Sequence, residues 1–213
     1  GTVDMEAGGI LEAGSGTILD VGGQLTNESG ANLELINSIL NADVTNEGEI
    51  LSRGTSQLNG LLTTVSGSKL RLQGDSSIGH STLTISNGFT NEGVIELESL
   101  NNSVWDERLI VSSGTLVNAS GGLINTLVGV GGDRTITAQL DNQGTVQLDW
   151  GLTLNGVDVD HLNSGIINVS AAMSAASSTS RVSMPWPSRS TAASHASGFL
   201  SVAVAVRPWL RTS

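Results

Sequence analysis

Apolar and polar residues alternate in short bursts along the first 170 residues, and the bursts recur. Leu33-Glu34-Leu35, Ile50-Leu51, Val94-Ile95-Glu96-Leu97, Leu123-Ile124, Val146-Gln147-Leu148 and Ile166-Ile167-Asn168-Val169 read as short strands with one buried face. A shared corner precedes them, patterned as apolar, any, Asn, any, Gly or Ser. It appears in Leu25-Thr26-Asn27-Glu28, Val44-Thr45-Asn46-Glu47-Gly48, Phe89-Thr90-Asn91-Glu92-Gly93, Leu116-Val117-Asn118, Leu140-Asp141-Asn142-Gln143-Gly144 and His161-Leu162-Asn163-Ser164-Gly165. Asn bonds its own backbone in turns and Gly supplies positive φ, so the corner has turn chemistry. The turn glycines Gly30, Gly48, Gly67, Gly93, Gly121, Gly144 and Gly165 are 18, 19, 26, 28, 23 and 21 residues apart. Helical repeats of about 33 to 47 residues need a 3.6 period that is missing here. The spacing predicts an all-β chain, a parallel β-solenoid with coils of about 20–25 residues.

Stacking such coils brings equivalent residues about 4.8 Å apart. Leu33, Leu35, Ile50, Leu70, Leu72, Ile95, Leu97, Ile124, Val146, Leu148, Ile167 and Val169 are the expected inward set. Asn27, Asn46, Asn91, Asn118, Asn142 and Asn163 are expected to form a structural ladder of side-chain amides, as in other parallel stacks.

These degenerate coils with Asn-x-Gly corners resemble the right-handed parallel β-helix passengers of secreted bacterial adhesins and autotransporters, over roughly residues 1–170. The resemblance implies a structural or adhesive module of a larger secreted or surface protein, placed outside the cell or on its surface. A carbohydrate or a cell-surface partner would be its ligand. Pectate-lyase-like enzymes share the architecture, so a glycoside hydrolase or polysaccharide lyase is the alternative, and fold alone does not choose between them.

Composition divides the chain near residue 170. All 20 acidic residues and all 16 asparagines precede it, whereas residues 171–213 hold four arginines, no acid and all three prolines. The total charge of −11 thus becomes −15 over residues 1–170, the expected repeat domain. The Ser- and Ala-rich tail reads as a cap, a linker or non-native sequence, with Phe199 to Val206 a possible edge strand. Such acidity argues against nucleic acid as a partner, because a nucleic-acid binder needs a basic face to displace counterions. No apolar run approaches the roughly 20 residues of a membrane span, so no membrane insertion is expected. Zero Cys and zero Tyr remove disulfides, thiolates and phenolate nucleophiles. Oligomeric state is not encoded in any of these features.

Candidate chemistry is sparse, and no cofactor is expected. Asp158-Val159-Asp160-His161 sets two carboxylates on one face of an extended segment beside an imidazole, the best local pair for calcium or for acid–base work. The plainer reading gives His161 the apolar slot of its repeat and leaves both Asp side chains in water. Asp106 and Glu107, in Trp105-Asp106-Glu107-Arg108, lie in the longest interval between corners, where a loop can leave the coil. The plainer reading there is a charged surface turn with Trp105 folded over the core. A Ser76, His80, Asp75 triad is conceivable, but sequence neighbours rarely meet in triad geometry. Glu28, Glu47 and Glu92 share one repeat position and would repel unless splayed into water or bridged by a cation. Gly129-Val130-Gly131-Gly132-Asp133-Arg134 lacks dinucleotide-binding spacing and reads as a corner or excursion loop, and Trp150 is a candidate for stacking on a sugar ring.

Overall fold

A computed structural model describes residues 1–100, 104–156, 160–170, 182–185 and 199–202. Strands that alternate as above can bury only one face each, and they do so by stacking in parallel into a β-solenoid of about seven turns. One sheet stacks Ile10–Ala13, Asn32–Ile36, the first half of Glu49–Leu58, Lys69–Gly74, Val94–Ser99, Leu123–Thr126, Thr145–Leu148 and Ile166–Val169. The second sheet is kinked into two rows, and register shifts mark the kink between Asp20 and Gln24 and between Ile110 and Thr115. Its near row includes Ser81–Ile85, 107–111, 134–137 and Leu152–Asn155. Its far row runs from Thr2–Met5 through 24–27, 43–46, 115–118 and 139–142 to Leu162–Asn163. Val182–Pro185 lies parallel to Leu152–Asn155 through Thr153 and Ser183, and antiparallel to Phe199–Val202. The rest of the tail lies outside the described residues.

The register aligns like with like, so the core is a set of columns. Leu33, Ile50, Leu70, Ile95, Ile124 and Val146 form one, and all are buried. Ten of the twelve expected inward residues are buried; Ile167 is half-buried and Val169 is 39% exposed. Val169 is therefore a correction: it pairs with buried Leu148, but its own strand ends that sheet and no described coil covers it. The column Leu25, Val44, Leu116, Leu140 is completed by half-buried His161, whose Nδ1 accepts a 3.2 Å bond from the Leu140 amide.

A second column is polar. Asn27 Nδ2 donates to Asn46 Oδ1 at 2.7 Å, and Asn91, Asn118, Asn142 and Asn163 continue the same head-to-tail chain at 2.9, 2.7 and 2.7 Å. Thr64 takes the slot between Asn46 and Asn91, donating to the Thr90 carbonyl and accepting from the Glu92 amide. Each amide's second proton reaches a corner carbonyl, such as Glu49 O or Thr145 O, so the ladder satisfies backbone that the turn leaves bare. Met5 precedes Asn27 in register and its side chain has no donor, which leaves Asn27 Oδ1 buried without a partner.

Coil length varies most at one corner, alongside smaller differences at the kink. The ladder residues are 19 apart at Asn27–Asn46, 27 apart at Asn91–Asn118 and 24 apart at Asn118–Asn142. A short coil turns from the first sheet to the second through Ile36-Asn37-Ser38, with Asn37 at φ 46° and its Oδ1 accepting from the Thr55 amide at 2.8 Å. The long coils instead carry extra chain at that same corner, as 75–80, the stretch from Ser99 to Glu107, of which 100 and 104–106 are described, and 127–133.

Candidate functional site

The three insertions lie on successive coils and build one surface. In the first, Asp75 closes the turn: its Oδ1 accepts from the Ser77 amide, the Ser77 hydroxyl and the Ile78 amide at 2.7–2.8 Å, while Arg53 Nη1 lies 3.3 Å from Oδ2. Burial raises the Asp75 carboxyl, but these hydrogen bonds outweigh it and hold the group below its ordinary range. Arg53 also pairs with Glu34, and its own pKa stays raised because both carboxylates outweigh its desolvation.

The second insertion locks onto the first. His80 Nδ1 accepts from the Asp106 amide at 2.9 Å and lies 3.4 Å from Asp106 Oδ2. The ring stands edge-on to Trp105 at 5.1 Å and 89°. The third insertion locks onto the second through the Asp133 amide, which donates to Asp106 Oδ1 at 2.9 Å. Gly132 is required here, since a Cβ would collide with the Trp105 carbonyl and φ is +79°. Gly131 sits against Val104 in the same way. The result is an apolar rim: Val104, Val128 and Val130 are 65%, 60% and 57% exposed.

Beneath that surface is a buried ion pair. Glu107 and Arg134 occupy inward positions in register on adjacent coils, in line with Ser81 and Leu152, and neither side chain is exposed at all. Arg134 Nη1 lies 2.6 Å from Glu107 Oε2. The guanidinium also donates to the carbonyls of Trp105, Gly131, Gly132 and Leu127 at 3.3–3.4 Å, tying both later insertions to the core. Trp150 covers it, with the ring centroid 5.7 Å away and Nε1 bonded to Gly132 O at 2.9 Å. Burial pushes the Glu107 carboxyl up from the ordinary carboxylate range, and Arg134 opposes that push. Arg134 is lowered by the same burial, against the pull of Glu107, Asp106, Asp133 and Glu98. The negative charge around this single buried cation is in surplus.

The expected candidates divide accordingly. Asp106 joins the corner as a partly exposed acceptor, whereas Glu107 is sealed in the core and does not lie on a surface turn. Asp75 is committed to Arg53 and Ser77, and His80 turns to Asp106 and Trp105, so Ser76, His80 and Asp75 form no triad. The Trp150 ring is engaged by Arg134 instead of standing free for a sugar. Asp160 is exposed; Asp158 lies outside the described residues. Burial lowers the His161 pKa, with Asp160 opposing. Glu47 and Glu92 are exposed and Glu28 half-buried; among the described residues no three His, Asp or Glu side chains gather as a metal site.

Sequence reasoning placed Val130 and Arg134 in a corner or excursion loop without giving either a role, and passed over Val104 and Val128. A signal for the arginine was present, because Arg134-Thr135-Ile136-Thr137-Ala138 alternates and puts Arg134 on the inward face with Ile136. No protein-family model, curated protein or solved structure matches the chain, so its role has to be read from this geometry.

Proposed function

We propose that the chain is a structural and adhesive module of a larger secreted or surface-displayed bacterial protein, with the solenoid as a rigid spacer and the inserted corner as its contact surface. The observation that carries this reading is the placement of extra chain at one corner of successive coils, each insertion held by the next. Loops that only relieve strain have no reason to share a face, whereas loops positioned on a rigid scaffold commonly carry binding. An exposed apolar rim bounded by carboxylates is the surface chemistry of an interaction site. The hydrolase alternative needs two carboxyl groups facing a groove, about 5 to 9.5 Å apart. Sealing of Glu107 under the corner favours the adhesive reading over it.

The test coats particles with wild-type protein or with the Val104→Ser, Val128→Ser, Val130→Ser triple variant and measures retention on cells and immobilised glycans under flow. Retention of the wild type and loss by the variant, with unchanged circular dichroism, is the expected result. Equal retention of both, or release of new reducing ends from polysaccharide, overturns the proposal.

A further inference from the structure

Resting on that adhesive reading, we infer that the corner's partner is a basic polypeptide segment whose apolar residues cover the valine rim while its lysines or arginines meet the carboxylates. Two observations choose this occupant over a sugar. Carbohydrate recognition relies on flat aromatic faces, and both tryptophans of the corner are engaged internally: Trp150 by the Arg134 guanidinium and Trp105 by the His80 edge. What the corner offers outward is aliphatic. Gly129 faces Arg134 Nη2, so its neighbours Val128 and Val130 point away from the core, and Gly131 brings Val104 beside them.

The second observation is charge. Asp106 is partly exposed with Oδ2 3.4 Å from His80 Nδ1, and the exposed Asp133 holds the corner through its backbone alone, its amide on Asp106 and its carbonyl on the Glu107 amide. Arg134, the cation beneath, is already paired with Glu107 and has no exposed surface. Asp106 and Asp133 against the exposed Arg108 leave the charges beside the valines net negative by one, on a body of formal charge −15. A cationic partner gains from this field in both affinity and encounter rate, and an acidic one is repelled.

Isothermal titration of the full chain would use a synthetic alternating lysine–leucine peptide, its glutamate–leucine counterpart and a neutral β-glucan oligosaccharide. The basic peptide binds, less tightly as salt rises. Val128→Ser with Val130→Ser, and separately Asp133→Asn, each weaken it by about fivefold or more. Glu47→Gln, the same charge change at the opposite corner, leaves binding unchanged. Equal loss in Asp133→Asn and Glu47→Gln would mean general attraction to an acidic body and overturns the inference, as does equal binding of the acidic peptide. Binding of the oligosaccharide alone, abolished by the valine changes, refutes a polypeptide partner while leaving the adhesive reading intact. Failure of the adhesive reading shows differently, as valine changes that alter no retention on any surface.

Discussion

Replacing Arg134 by Met tests whether the buried pair is what holds the corner on the solenoid. The contact is 2.6 Å, and both side chains are fully buried. At an effective dielectric of about 20 their attraction is about 6 kcal/mol. Desolvation costs several kcal/mol for each ion, so the intact pair comes out near zero. Its removal does not. Arg134→Met keeps the volume but leaves Glu107 without a counter-charge and four loop carbonyls without a donor, a loss of about 3–5 kcal/mol. Adding Glu107→Leu to that variant removes the stranded carboxyl, and stability returns to within about 2 kcal/mol of wild type. Urea unfolding, with the slope checked for constancy, measures each corner of the cycle, and hydrogen exchange at Leu109 and Ile136 locates the loss. If the double variant costs as much as the two single changes added together, the residues act independently and the argument fails.

Three further outcomes follow from the columns. Met5→Asn supplies the missing donor to Asn27 Oδ1 and extends the ladder by one rung, raising stability by about 1 kcal/mol in urea unfolding. Asn118→Ala breaks the ladder at its best-bonded member, which accepts from Asn91 and donates to Asn142 Oδ1 and Thr145 O; thermal or urea unfolding should show a loss of about 2–4 kcal/mol. His161 has a folded pKa below its unfolded one because it is buried neutral, so its contribution is complete above the unfolded value of 6.5 and is lost as pH falls through the folded pKa. Stability measured down through pH 6 should therefore fall less steeply in His161→Leu than in wild type, and identical slopes would place His161 in water.

Much of the architecture was legible because β structure writes its burial locally. A period of two decides which face of Leu33-Glu34-Leu35 or Val146-Gln147-Leu148 is inward, and Asn with Gly marks where the chain must turn. Repetition then makes stacking the only way to bury every inward face, so fold class and most of the core followed from residues close in sequence. Val169 escaped because exposure at the end of a stack depends on what lies above it, which no local pattern records. Loops leaving the coil near Trp105 and Gly129 were legible, but their assembly into one corner escaped for a related reason. Glu107 and Arg134 are 27 residues apart, and only the register between coils sets one on the other. Read singly, each charge belongs on a surface; read in register, each is the other's counter-ion in the core. His80, Trp105, Asp106 and Asp133 likewise meet only because three insertions of unrelated sequence leave the solenoid at the same edge. Alternation and turn chemistry are properties of neighbouring residues, whereas a site assembled across coils is a property of their stacking.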